Sequence, residues 1–305
     1  MADLYAEAFK CQSRPDEPSP THILTDDLCE KAGVRYEEIF TDAEAMAKMA
    51  RTIKALDGDS LVRLPFSVAV EAEQFGAKLS LHPDTRLPAV SDFPFAKLDD
   101  ISSLPSFDME KGQMAAVLGA VEILSRQGET VLLEIEGIFS ILSLVASSKE
   151  LYKGLYRKQE KLRMLSQRVI GQLVRYARRA VKRGAKIISY ADATISFELV
   201  SPEIYRTLCG AVTIEAVRAL RAVAPNALFH LCSATSVGLE RVGLCVSEAV
   251  PVEHGLTYGA ALIRALAWEE NPIIGHGCPV RSAYRLESPF LYKLKIRRHN
   301  CSVVP

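Results

Sequence analysis

The stretch Ala227-Leu228-Phe229-His230-Leu231-Cys232 reads as a short buried strand that ends in two metal-capable side chains. Successive side chains on a strand point to opposite faces, so His230 and Cys232 share one face while Phe229 and Leu231 take the other. A near-continuous apolar strand of this kind belongs in a parallel sheet covered on both faces. An imidazole and a thiolate on one face make up two-thirds of a protein zinc site that keeps an open position. The third ligand must come from elsewhere in the chain.

Working outward, strands and helices alternate. Upstream, Ser60 to Ser67, Thr130 to Glu136 and Ala185 to Tyr190 read as strands. Helices are expected over Lys111 to Arg126, as one or two long amphipathic segments across 147 to 183, and across 202 to 223. Downstream come a short helix near Val237 to Gly243, a strand near Ala249 to Glu253, a helix from Tyr258 to Trp268, and strands at Pro272 to Gly275 and Leu291 to Ile296. Residues 36 to 55 read as a helix started by a capping box at Thr41. Val68 to Leu81 reads as a mixed hairpin, and residues 82 to 108, rich in Pro, Asp and Ser, as a long excursion. Strand-helix alternation with seven or eight strands favours an α/β fold, a closed (β/α)8 TIM barrel with an N-terminal extension. Residues 1–305 form one barrel domain, with 1–40 an arm and helices packed on it. An open doubly wound sheet is the alternative, but no Gly-rich phosphate loop follows any strand.

Composition supports this and narrows function. The chain has 305 residues, 49% of them apolar and 24% charged, with a formal net charge of zero. No nucleic-acid partner is indicated by that balance, and no membrane partner by the hydropathy, which lacks an apolar run of spanning length. The N-terminus, Met1-Ala2-Asp3-Leu4-Tyr5-Ala6-Glu7, has no apolar core of a secretory signal. Seven cysteines, scattered without a disulfide framework, point to a reducing, cytoplasmic setting. The many Lys and Arg residues between Lys149 and Arg183 read as the solvated outer face of a barrel helix, or as a docking face for an acidic partner.

In a barrel the chemistry sits at the C-terminal ends of the strands. Those ends carry Glu134 and Glu136, Tyr190 and Asp192, His230 and Cys232, Glu253 and His254, His276 and Cys278, and His299 and Cys301. Cys301 and Cys278 compete as third ligand to the His-x-Cys pair. The plainer alternative is a hydrogen-bonded core histidine and a core cysteine. Glu71 and Glu73 read as a solvated face by default, with a place at the pocket rim as the alternative.

Several segments, in order, resemble one family. Leu64-Pro65-Phe66 through Val70-Glu71-Ala72-Glu73-Gln74-Phe75-Gly76 is similar to its VEAE-x-x-G segment, and Glu136-Gly137-Ile138-Phe139-Ser140 to its GPF turn. Asp192 through Leu199-Val200-Ser201-Pro202 resembles its D…LSP segment, Phe229-His230-Leu231-Cys232 its HxCG strand, Asn271 to Gly275 its ILMGN strand, and Asn300-Cys301-Ser302-Val303-Val304-Pro305 its terminal GC-x-x-P. The sequence thereby resembles the uroporphyrinogen decarboxylase superfamily, in its zinc- and corrinoid-dependent methyltransferase branch. Ile138 replaces the proline of the GPF turn, Ser233 the glycine after Cys232, and Asn300 the glycine before Cys301.

The resemblance implies a zinc ion (Zn2+) held by His230, Cys232 and Cys301. It implies a corrinoid (cobalamin) supplied by a corrinoid-binding partner protein, and a small-molecule methyl donor or acceptor, such as a thiol. Asp192 and Glu253 are then catalytic candidates that orient the acceptor or complete the metal shell. Tyr190 and His276 are candidates for the cofactor side of the mouth. The direction of methyl transfer stays open. Two alternatives are a metal-free decarboxylase-like enzyme and a non-catalytic barrel subunit.

Overall fold

The computed structural model describes residues 24–82, 86–195, 199–268 and 272–297. Most of the predicted N-terminal arm, and Cys301 with its flanking segment, lie outside the described residues.

The chain enters through α1 (Asp26–Ala32), α2 (Glu38–Thr41) and α3 (Ala43–Asp57). The predicted start at Thr41 differs. Asp42 is the cap, its carboxylate accepting the Ala45 N–H at 2.8 Å, while the Thr41 hydroxyl turns back to the Glu37 carbonyl. An aspartate completes a bond to the third residue on as well as a threonine does, and closes the first turn in the same way. These helices share a small core of their own around Ile39, Phe40 and Met49.

Next come β1 (Val62–Leu64) and α4 (Val70–Gln74), then β2 (Lys78–Leu81) and β3 (Pro88–Asp92), which form an antiparallel hairpin. The predicted hairpin over Val68 to Leu81 is thus half right: its first limb is a helical turn, and β2 finds its partner further on. A five-residue helix has too few turns for its period to show in the sequence. α5 (Gly112–Arg126) leads to β4 (Val131–Glu136), then to α6 (Ile138–Ala146), α7 (Ser148–Arg157) and α8 (Gln159–Lys182). β5 (Ile187–Ala191), α9 (Gly210–Val223), β6 (Leu228–Cys232), α10 (Ser233–Arg241), β7 (Cys245–Pro251), α11 (Tyr258–Ala265), β8 (Ile273–Gly277) and β9 (Phe290–Ile296) complete the order.

One seven-stranded sheet runs β1-β4-β5-β6-β8-β9-β7. The pairs from β1 through β8 are parallel, while β9 runs against both of its neighbours. Among the described residues no ladder joins β1 to β7. The antiparallel insertion is consistent with burial, because β7 and β9 are mostly half-buried or exposed where β4, β5 and β6 are nearly all buried.

The two faces of the parallel strands differ. Val131, Leu133 and Ile135 of β4, with Ile188, Tyr190, Phe229 and Leu231, pack against the outer helices. Leu132, Ile187, Leu228 and Ile274 point the other way and meet Tyr258, Ala261 and Leu262 of α11. Above that inner apolar layer, toward the C-terminal ends, the same alternation aims Glu134, Glu136, Ser189, His230 and Cys232 inward.

Candidate active site

His230 is fully buried. Its Nδ1 lies 2.8 Å from the Ser189 hydroxyl on the neighbouring strand, and its Nε2 lies 2.9 Å from the Tyr258 hydroxyl of α11. The parallel register sets Ser189 opposite His230, which explains the first contact. With the ring proton on Nδ1, donated to Ser189, the Nε2 lone pair faces Tyr258, whose hydroxyl donates to it. Burial holds the Tyr258 phenol well above its ordinary pKa, so it keeps its proton. Metal-binding histidines are oriented by such a hydrogen bond on the far nitrogen.

Cys232 is buried on the same inward face. It pairs across β6 and β8 with Gly277, and the next residue is Cys278, also buried and outside any disulfide. Tyr258 packs directly on Gly277, where an added Cβ would come within 2.1 Å of its ring. β9 starts at the mouth and descends, its last residue Ile296 pairing with Cys245 at the opposite end of the sheet from Cys232. Among the described residues, no three His, Cys, Asp or Glu side chains converge closely enough to hold a metal.

Asp192 does a job the sequence leaves open. Its carboxylate accepts the N–H groups of Phe139 at 3.0 Å and Ser140 at 2.9 Å, and the Ser140 hydroxyl at 3.1 Å. It therefore caps α6 from a different strand, in place of Gly137, which has no side chain to do so. Gly137 must be glycine, since a Cβ there would lie 2.3 Å from Asp192. Burial raises the Asp192 pKa, and the two N–H groups oppose that rise.

Tyr190 turns to the outer, helix-covered side. Its hydroxyl accepts the Ile138 N–H at 3.1 Å and donates to Asp192 at 3.3 Å. His276 has a left-handed backbone, φ 60°. Its ring meets the Ser236 hydroxyl through Nδ1 at 3.1 Å and the Glu240 carboxylate through Nε2 at 3.0 Å, both on α10. Burial lowers its pKa, and the Glu240 charge works against that. His276 and Cys278 also line a cavity of about 190 Å³ beside β8 and β9, with Arg281 and Tyr284 on its wall. Glu253 is exposed and pairs with Arg264 at 3.3 Å. The structure thus brings Tyr190 and Asp192 together, and His230 near Cys232. His276 and Glu253 engage partners of their own.

A further group lies at the ends of β1 and β4. A cavity of about 220 Å³ is lined there by Arg63, Phe66, Glu71, Glu134 and Glu136, among others. Glu71 is only 2% exposed, and burial pushes its carboxyl up to about 7. Glu136 is also held well above the usual carboxylate range, first by burial and then by the negative charges of Glu71, Glu134 and Asp192. The run Val70-Glu71-Ala72-Glu73 held the signal, because an acid flanked by small apolar residues on a short buried helix has no solvated face.

The basic residues of α7 and α8 are largely engaged within the chain. Lys158 pairs with Asp99 at 2.5 Å and Arg179 with Glu110 at 2.7 Å, while Lys161 and Arg163 bond the carbonyls of Ile101 and Thr207. No helix among the described residues is long and apolar enough to cross a membrane.

A parallel α/β sheet whose inner face carries a histidine, a thiol and carboxyl groups at the strand ends is the plan of a TIM-barrel protein with its site at the mouth. The chain belongs to the uroporphyrinogen decarboxylase (URO-D) family, whose sequence profile matches residues 11–278. It is similar to the methylcobamide:CoM methyltransferase MtbA of Methanosarcina acetivorans, 26% identical over 267 residues that cover 83% of this chain and 79% of that protein. It is also similar to the methylcobamide:CoM methyltransferase MtaA of Methanosarcina barkeri (strain Fusaro), 26% identical over 286 residues, 92% and 80% of the two chains. A solved structure, a methyltransferase from Methanosarcina mazei, superposes with a TM-score of 0.64 at 23% identity, over 79% of this chain and 73% of that one. That likeness establishes a shared fold.

Proposed function

We propose that this chain is a methyltransferase that moves a methyl group between a corrinoid carried by a partner protein and a small molecule, with a thiol as the acceptor class. Its named relatives are methylcobamide-dependent methyltransferases. The observation that carries the reading is His230 and Cys232 on one inward face at the mouth, with Ser189 holding the imidazole.

The donor chemistry suits zinc: one imidazole with a buttressed Nδ1, and thiol side chains on the same and the neighbouring strand. We assign His230 and Cys232 as ligands. Cys301 is the third ligand that the family pattern implies. Cys278 is the thiol at hand, because it follows Gly277, the residue paired with Cys232. Among the described residues, however, no three such side chains converge closely enough to hold a metal, His230, Cys232 and Cys278 included, so we assign Cys301 the third position and treat Cys278 as the rival. Bound there, zinc supplies a Lewis acid that keeps a substrate thiol ionised at neutral pH. Ser189 fixes the ring so that Nε2 points inward. Tyr258, which occupies Nε2 by its hydroxyl, must yield that position when the ligand set assembles. The buried inner face excludes water from a thiolate that would otherwise be solvated and less reactive.

The test is metal analysis joined to a corrinoid assay. About one zinc per chain is expected, lost in Cys232→Ala and in Cys301→Ala and kept in Cys278→Ala. The opposite result for the last two makes Cys278 the ligand. Demethylation of methylcobalamin by a thiol, followed by its visible spectrum, is expected only of zinc-loaded protein. A zinc-free protein that decarboxylates a substrate supports the metal-free reading. A protein that neither binds zinc nor turns over any corrinoid form is a non-catalytic barrel.

A further inference from the structure

We propose that the cavity at the ends of β1 and β4 is a subsite for a positively charged ammonium or quaternary ammonium group, carried by the small molecule that the mouth binds.

The walls set the sign. Two cations, Lys54 and Arg63, face four carboxyl groups, Asp59, Glu71, Glu134 and Glu136. Lys54 is already paired with Glu129, outside the cavity. Asp59 is engaged by the Ser60 N–H at 2.7 Å and by the Ser282 hydroxyl. Arg63 faces inward one row below Glu134, since it pairs with Leu132 in the β1–β4 register. That leaves Glu71 and Glu136 at the upper end.

Among the described residues these two carboxyls take fewer hydrogen bonds than a carboxylate can accept. Glu71, almost wholly enclosed, takes one hydrogen bond from another residue, the Glu136 N–H at 3.3 Å. A carboxylate has room for about four donors. Among the described residues Glu136 reaches only the Ser140 hydroxyl. That hydroxyl has a single proton, already given to Asp192 at 3.1 Å. The groups acting on Glu136 are otherwise negative charges. An arriving cation would relieve the repulsion and let both acids ionise. Phe66 adds an aromatic wall, a surface that suits quaternary ammonium groups.

The position also fits. Glu134, Ser189 and His230 stand opposite one another on three adjacent strands, all facing inward. The carboxylate end is therefore two strand spacings, about 10 Å of backbone, from His230. A small molecule with its cation on Glu71 and Glu136 has its other end toward His230 and Cys232. The reaction this serves rests on the function proposed above; the cation binding itself does not.

The experiment titrates tetramethylammonium chloride into the whole chain by calorimetry, at constant ionic strength made up with sodium chloride. One site per chain is expected, weakened at least tenfold in Glu71→Gln and Glu136→Gln and abolished in the double variant. Gln keeps the shape of Glu, and circular dichroism confirms that the variants fold. Failure of tetramethylammonium to bind overturns the proposal, as does equal binding of the uncharged tert-butanol or unchanged affinity in the double variant. Zinc content and corrinoid turnover are measured on the same preparations. Cation binding that persists in protein without zinc or turnover overturns the methyltransferase reading and leaves the subsite. Turnover without cation binding does the reverse.

Discussion

Ser189 Oγ lies 2.8 Å from His230 Nδ1, and this contact decides which imidazole nitrogen faces the inside of the sheet. Ser189→Ala removes the contact that orients Nδ1 and leaves the ring held from the Tyr258 side. Zinc affinity, measured by competition with a chromophoric chelator, is expected to fall about 10- to 100-fold, the range for losing such an orienting contact. The melting temperature drops as well, by the equivalent of about 1 kcal/mol for one hydrogen bond. Unchanged zinc affinity would show that Ser189 does not position His230.

Tyr258 and Gly277 form a second coupled pair, since a Cβ on Gly277 would sit 2.1 Å from the tyrosine ring. Gly277→Ala must push Tyr258 off His230, and overpacking of this kind costs about 1–3 kcal/mol. Tyr258→Phe removes only the hydroxyl, keeps the packing and frees Nε2. It is expected to lose about 1 kcal/mol while zinc binds at least as tightly as in the parent. Weaker zinc binding in Tyr258→Phe would make the hydroxyl a contributor to the metal shell and not a competitor for it.

Asp192 is assigned as a helix cap. Asp192→Asn gives up charge and one acceptor toward the N–H groups of Phe139 and Ser140, at a cost of about 1 kcal/mol. Gly137→Ala, with its Cβ forced against Asp192, should cost more. Thermal unfolding checks both. If Asp192→Asn abolishes turnover at full stability, the residue is catalytic and the cap is incidental.

The Glu71 carboxyl makes stability depend on pH. Its folded pKa is raised from 4.5 to about 7, so the folded state holds a proton that the unfolded chain releases. Stability from this group is present below pH 4.5, falls as pH rises toward 7, and above that the full penalty applies. At 1.36 kcal/mol per pH unit the penalty is about 3 kcal/mol. Glu71→Gln should therefore stabilise the protein by about that much at pH 8 and leave it nearly unchanged at pH 4. Equal effects of the substitution at both pH values would remove burial of a charged carboxylate as the cause.

The residues by themselves determined the strand-helix alternation, the two faces of β6 and the family pattern, because side-chain period and local motifs are written in neighbouring positions. His230 and Cys232 share a face for that reason alone. What stands beside them is a matter of register between strands far apart in the chain. Only the fold sets Ser189 against His230, brings Cys278 next to Cys232 through Gly277, and sends β9 down the sheet with its end beside Cys245. Asp192 read as a candidate to orient the acceptor or complete the metal shell, and a strand-end carboxylate looks alike whether it meets substrate or caps a helix from another strand. Glu71 read as solvated because acids usually are. Its burial follows from α4 lying against α5 and α6, with the apolar neighbours Val70 and Ala72 as the local sign of it.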